Sequence, residues 1–202
     1  MSNSMKILAV VGVVVLLLGW RGCSSYNGLV GLDEGVNSAW AQVQNQYQRR
    51  ADLIPNLVET VKGAANFERE TLEAVIQARA NATRPEINAG NLLNNPQAFQ
   101  QFQQAQDNLG TALGRLMVVV EKYPELKANQ NYLDLQTQLE GTENRITVER
   151  KRFNEVVQNY NSTRRVFPTN IFAGMFGFQQ RPYFEATAEA QQTPKVDFGG
   201  NK

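Results

Sequence analysis

Five polar residues cluster in the most regularly patterned stretch of the chain: Glu143, Asn144, Arg150, Asn154 and Asn161. A carboxylate, a guanidinium and three amides at helical spacing suit one of two tasks. Acid–base catalysis needs two carboxylates in one cleft, with their pKa values pushed apart. This group supplies one acid and no sign of a cleft. Amides satisfy one another without charge, so the pattern reads as a polar ladder bridging neighbouring helices. Two further charges, Arg50 and Glu149, fall on core-facing rows of their helices. A buried charge destabilises unless paired. Either both sit at the rim, one position off the row, or they form a buried ion pair that fixes which helices are neighbours, as a polar residue does at a coiled-coil seam.

The composition closes off other chemistry. Histidine is absent, which removes Ser-His-Asp and Cys-His catalysis, the HExxH zinc site and the Glu-x-x-His di-iron site. Cys23 is the single cysteine, so no internal disulfide and no CxxC motif can form. Neither GxxxxGK[ST] nor GxGxxG occurs, so no phosphate cradle of known pattern is present. No cofactor and no metal is expected, and the chain reads as a non-enzyme. Lys plus Arg is 20 against 19 for Asp plus Glu, a net charge of +1. That balance gives no basic platform for nucleic acid. Asn and Gln together number 39, as many as all charged residues, so the surface is polar through amides as much as through charge.

The elements that position these residues begin with an apolar run. Ile7 to Trp20 is fourteen residues without a charge, preceded by Lys6 and followed by Arg21. At about 1.5 Å per residue it spans roughly 21 Å, and the stretch to Tyr26 reaches about 30 Å, the thickness of a hydrocarbon core. Three readings fit: a retained single-pass anchor, a cleaved signal peptide, or a lipoprotein signal modified at Cys23, for which Trp20 and Arg21 are poor flanks. All three send the chain to or across a membrane, and the retained anchor is the expectation. Lys6 against Arg21 leans weakly toward an extracytoplasmic body.

The body, residues 27–167, is patterned as helix. Leu29, Val36, Val43 and Arg50 share one row, with Trp40, Tyr47 and Ile54 beside it. A second element is expected from Pro55, anchored by Leu57, Val61, Leu72 and Val75 and interrupted near Gly63 and Asn66; a loop follows from Arg84 to Asn95. Asn95-Pro96 opens the next helix as cap and first residue, with Phe99, Gln106, Leu113 and Val120 seven apart, and Phe102, Leu109, Leu116 and Tyr123 likewise. Six glutamines between Gln97 and Gln106 are expected on its solvated face. Last comes a seam of Tyr132, Leu139, Ile146, Phe153, Tyr160 and Phe167, with Leu135, Thr142, Glu149, Val156 and Thr163 between. No run alternates with the period of a strand. The fold expected is all-α, an antiparallel bundle of long helices behind the amino-terminal anchor helix (residues 1–26) and before an irregular tail (residues 168–202).

That tail holds six of the eighteen aromatics. It docks either on its own bundle or on a neighbour. Under the second reading Phe172, Phe176, Phe178, Tyr183 and Phe184 are assembly contacts, and the chain is a homo-oligomer.

Several segments carry a family likeness. They are Tyr26-Asn27-Gly28-Leu29-Val30, Ala39-Trp40-Ala41-Gln42-Val43, and Gln48-Arg49-Arg50-Ala51-Asp52-Leu53-Ile54-Pro55-Asn56-Leu57-Val58. Further on come Tyr123-Pro124-Glu125-Leu126-Lys127-Ala128, Leu139-Glu140-Gly141-Thr142-Glu143-Asn144-Arg145-Ile146, the repeated Phe153-Asn154 and Tyr160-Asn161, Phe176-Gly177-Phe178, and Pro182-Tyr183-Phe184-Glu185-Ala186. In this order they resemble the LemA family of bacterial membrane proteins, over nearly the whole chain. The resemblance implies one transmembrane helix, a helical-bundle domain and no established activity, with some relatives associated with shaping internal membranes. The short apolar run followed by Arg21-Gly22-Cys23 departs from the family anchor. The partners expected are membrane lipid, further copies of the chain and an envelope protein. The function expected is a membrane-anchored scaffold, or else an accessory module that recruits or regulates a membrane-bound hydrolase.

Overall fold

The computed structural model describes residues 3–63, 67–84 and 92–185, less the side chains of Ala9, Val14, Val15 and Leu18. Most of the loop expected between Arg84 and Asn95, Asn66, and the tail from residue 186 with Phe198 lie outside the described residues. Every regular element among the described residues is helical: α1 (Asn3–Lys62), α2 (Arg69–Ala82), α3 (Pro96–Val120), α4 (Pro124–Lys127), α5 (Gln130–Arg165) and α6 (Thr169–Met175).

Helix α1 is 60 residues long, about 90 Å at 1.5 Å per residue. It passes straight from the apolar run into the body, where Leu29, Val36, Val43 and Arg50 are buried on one row and Trp40, Tyr47 and Ile54 beside it. The helix break expected at Pro55 does not occur; Pro55 lies inside α1, which ends at Lys62. A proline inside a helix costs about 3 kcal/mol. Ile54, Leu57 and Val61 around it are fully buried, and at about 1.5–3 kcal/mol each their packing outweighs that loss.

The other ends follow local chemistry. Asn95 caps α3, its side-chain oxygen accepting from the N–H groups of Gln97 and Ala98 at 3.1 Å. Pro124 ends the run of α3 and starts the single turn of α4, and Asn129 caps α5 by accepting from the Tyr132 N–H at 3.3 Å. Along α5 the seam from Tyr132 to Tyr160 is buried, but Phe167 is 75% exposed. The helix stops at Arg165, so the row that would have carried Phe167 inward ends before reaching it.

Helix α1 packs along α5 and α2 along α3. The first pair runs antiparallel: Gly35 lies against Val156, and Arg50 reaches Glu143. Two apolar clusters form the core. One gathers Val36, Trp40 and Val43 of α1, Phe99 and Phe102 of α3, Phe153 and Tyr160 of α5, and Phe184 of the tail. The other joins Ile54 and Leu57 to α2, the far half of α3, and Tyr132 and Leu139. Arg50 sits between them.

At the amino end, Ile7, Leu8, Val10, Leu16 and Trp20 are 63–74% exposed. Among the described residues no helix is long and apolar enough to cross a membrane.

Candidate functional site

The polar centre is built around Arg50, 3% exposed. Its Nη1 donates to Glu143 Oε1 at 2.7 Å, and its Nη2 donates to Gln106 Oε1 at 2.6 Å and to the Gln106 carbonyl at 3.1 Å. Gln106 in turn donates to the Ala82 carbonyl at 3.0 Å, tying α1, α3, α5 and the end of α2 together. The register of the Arg50 row is therefore as read from the sequence. The partner is not: Arg50 pairs with Glu143 and not with Glu149. Glu149 is half-buried and its Oε2 has no hydrogen-bond partner among the described residues. On an antiparallel helix pair, residues further along α5 face earlier residues of α1, which places Glu149 short of Arg50.

Arg150 pairs with Asp107 at 3.2 Å and lies over the Phe184 ring at 4.5 Å. Tyr47 stands among these charges, with the Arg50 guanidinium 5.2 Å from its ring. Burial pushes its hydroxyl up from 10.0 to about 12, partly offset by Arg150 and Arg50. That hydroxyl and Arg50 Nε are buried with no hydrogen-bond partner among the described residues.

The amides do not form a ladder with one another. They hold the tail. Asn161 donates to the Arg181 carbonyl at 2.8 Å and accepts from the Arg181 N–H at 3.0 Å. Asn154 does the same to Phe184, both bonds at 2.9 Å. Gln103 of α3 does it to Glu185, at 2.8 and 3.1 Å. A side-chain amide carries the same donor and acceptor as a peptide group, so each offers the tail what a neighbouring strand would. The spacing matches: seven residues of helix rise about 10.5 Å, and three residues of extended chain cover about 10 Å. Tyr160 adds a bond to the Gln179 carbonyl and Arg164 one to that of Phe178, each 2.8 Å. Asn144 is exposed and takes no part in the clasp.

Arg181 locks the other edge of the tail. Its Nε and Nη2 donate to Asp33 Oδ1 at 3.0 and 2.6 Å, and its Nη1 donates to Asn94 Oδ1. Sequence patterning missed Arg181, Asp33 and Gln103. The available signal was the repeat Phe153-Asn154 and Tyr160-Asn161, where each seam aromatic is followed by an amide.

The five tail aromatics thus divide. Phe184 is 7% exposed inside the first core, 4.9 Å from Phe99 and 5.4 Å from Phe153 between ring centres. Phe178 packs on that core, and both Phe178 and Phe176 meet Tyr26 of α1. Phe172 lies against Gly22, where a Cβ would stand 3.0 Å from the ring edge, so a larger residue there would make the ring shift by a few tenths of an ångström. Tyr183 is 37% and Phe176 49% exposed. The tail residues described here dock on their own chain.

Among the described residues no group of three or more potential metal-binding side chains occurs. A groove of about 550 Å³ between the ends of α1 and α2 brings Glu59 and Glu73 to its walls. Each carboxylate faces a cation, Lys62 at 3.6 Å and Arg69 at 2.7 Å. A second groove, about 470 Å³, runs beside the clasped tail and is lined by Gln100, Gln103, Arg181 and Tyr183.

The profile of the LemA family matches residues 39–198. Magnetosome protein MamQ of Magnetospirillum gryphiswaldense is 28% identical over 196 residues, covering 90% of this chain and 70% of the relative. Magnetosome protein MamQ 2 of Paramagnetospirillum magneticum is 27% identical over 195 residues, 89% of this chain and 70% of the relative. Protein LemA of Metamycoplasma hominis is 23% identical over 152 residues, 75% of this chain and 65% of the relative.

Proposed function

The chain belongs to the LemA family, and on that footing we propose that it is a non-enzymatic helical scaffold held at a bacterial membrane by its amino-terminal apolar run. The observation that carries this reading is the continuity of α1. One unbroken helix carries the fourteen-residue uncharged run at one end, with Ile7, Leu8, Val10, Leu16 and Trp20 exposed, and the buried rows of the body at the other. Solvent-facing Ile7, Leu8, Val10 and Leu16 have no partner in the body, and a lipid phase removes that apolar area from water. The body is an antiparallel bundle standing off the membrane on that helix. At its polar centre Arg50, Glu143 and Gln106 are engaged with one another, which supports a structural role over a catalytic one. The names of the magnetosome relatives state no reaction. Each copy brings its own anchor, so self-association multiplies the hold on the membrane.

Cys23 tests the reading. It is the single cysteine, it is exposed, and it lies just on the body side of the apolar run. An impermeant maleimide added to intact cells is expected to label it, with the protein staying in the membrane pellet through alkaline carbonate. Release into the carbonate supernatant overturns the anchor. Labelling only after lysis puts the body inside. A mass showing an acylated Cys23 replaces the helix anchor with a lipid. A monomer in mild detergent removes the assembly component.

A further inference from the structure

We propose that α6 and its flanks form a second lipid-contacting element, an apolar shoulder seated among the headgroups of an anionic bilayer beside the amino-terminal helix. Val166, Phe167, Ile171, Met175 and Phe176 are 49–75% exposed within eleven residues of chain. The inner side of the same segment is occupied: Ala173 is buried, and Phe172 rests on Gly22. The segment is therefore apolar on both sides; Phe176 edges onto Tyr26, while Val166, Phe167, Ile171 and Met175 stand 52–75% exposed.

Its height on the molecule selects the occupant. Phe172 meets α1 at Gly22, and the Phe176 ring lies 4.9 Å from that of Tyr26. The shoulder thus stands within one or two turns of Trp20, where the apolar run ends and a helix anchor would leave the hydrocarbon. Charge agrees. Residues 16–32 and 156–180 together hold Arg21, Arg164 and Arg165 and no carboxylate. Arg165 directly precedes Val166 and is exposed. A cationic collar beside exposed Phe, Ile and Met is the chemistry of an interfacial element on anionic lipid. A second copy docking on the same face would set two such collars against each other.

The proposal rests on the reading of residues 7–20 as the anchor, and the test separates the two. The full chain is reconstituted into vesicles of phosphatidylcholine with phosphatidylglycerol, carrying bromine high on the acyl chains. In the native sequence Trp20 reports on the anchor, while Trp40, 1% exposed, gives a constant internal signal. A Trp20→Phe, Ile171→Trp double variant reports on the shoulder. The expected result is a blue shift and bromine quenching at position 171, with loss of access to acrylamide. Quenching of Trp20 while position 171 stays open to acrylamide overturns the shoulder and leaves the anchor standing. No quenching of either, with the protein failing to float with vesicles, overturns the anchor reading itself. Protection of position 171 that rises with protein concentration in detergent, without lipid, places a second copy there and overturns the proposal. Equal protection on pure phosphatidylcholine overturns the role of the cationic collar.

Discussion

Asn161 is the residue through which the clasp is most open to attack. It is 4% exposed and makes two hydrogen bonds to Arg181, itself 9% exposed. Replacing it by leucine keeps the branched shape, with bulkier ends, and removes both bonds. The Arg181 N–H and carbonyl would then be buried without partners, at about 1–3 kcal/mol each. Some of this is recovered by water as the tail loosens, so the expected loss is about 2–4 kcal/mol. For a chain of this size 1 kcal/mol moves the midpoint by about 2–4 °C, giving a drop of roughly 4–16 °C. Asn161→Asp is the sharper variant: it keeps the acceptor for the Arg181 N–H but turns a carboxylate oxygen toward the Arg181 carbonyl. Thermal unfolding of both, beside Asn144→Ala at an exposed position, measures the effect. Hydrogen exchange localises it, because the Arg181 amide should lose protection while Phe184 and Glu185, held by Asn154 and Gln103, keep most of theirs. If Asn161→Leu melts with Asn144→Ala, the amide bonds do not hold the tail.

Glu143→Ala should cost about 2–3 kcal/mol by stranding the buried Arg50 cation, less than for a fully enclosed pair because Glu143 is 43% exposed; Glu149→Ala should cost less, and urea unfolding of the two decides which is the partner. Tyr47→Phe should be neutral or stabilising at pH 7, since the lost hydroxyl has no partner among the described residues. Because burial pushes the folded hydroxyl of Tyr47 up to about 12 against 10.0 when unfolded, the stability of the native sequence relative to the phenylalanine variant is constant below pH 10 and falls as the pH climbs from 10 to 12. That loss amounts to roughly 3 kcal/mol, and the phenylalanine variant should show a shallower alkaline fall in urea titrations. Ile146→Ala, in the core at 3% exposure, should cost about 2–5 kcal/mol, against little for the exposed Gln104→Ala; equal melting points would mean that the α5 seam is misassigned.

The apolar rows were legible because helical periodicity reports burial directly. Leu29 through Arg50, Phe99 through Val120 and Tyr132 through Tyr160 all face inward as spaced. Pro55 misled because a local rule was overridden by packing on both sides of it. The polar pairing was harder to read. Row position says that Arg50 is buried, but its partner depends on the stagger between two helices distant in sequence, and that shift turns Glu149 into Glu143. The clasp was hidden for a different reason. Asn154 and Asn161 were legible as inward-leaning amides, but an amide pairs equally well with another amide or with a peptide group, and nothing in helix periodicity reveals an extended segment. Gln103 lay inside a glutamine run whose exposed members set the expectation for all of it.

The unbroken α1 also fixes an angle. Each residue of an α-helix turns by about 100° and rises about 1.5 Å, so the side of the apolar run that meets any partner in the bilayer is phased to the side of the body that meets α5. With no hinge described between Trp20 and Leu29, the body has a compass bearing as well as a height. One residue inserted between Tyr26 and Leu29 would turn everything below by about 100°, swinging the α5 face away from Gly22 and tearing α6 from its seat. Four inserted residues come back to within about 40° and lift the body by about 6 Å. The stretch of α1 that looks like a plain spacer is in this sense a gear tooth count, intolerant of changes in length.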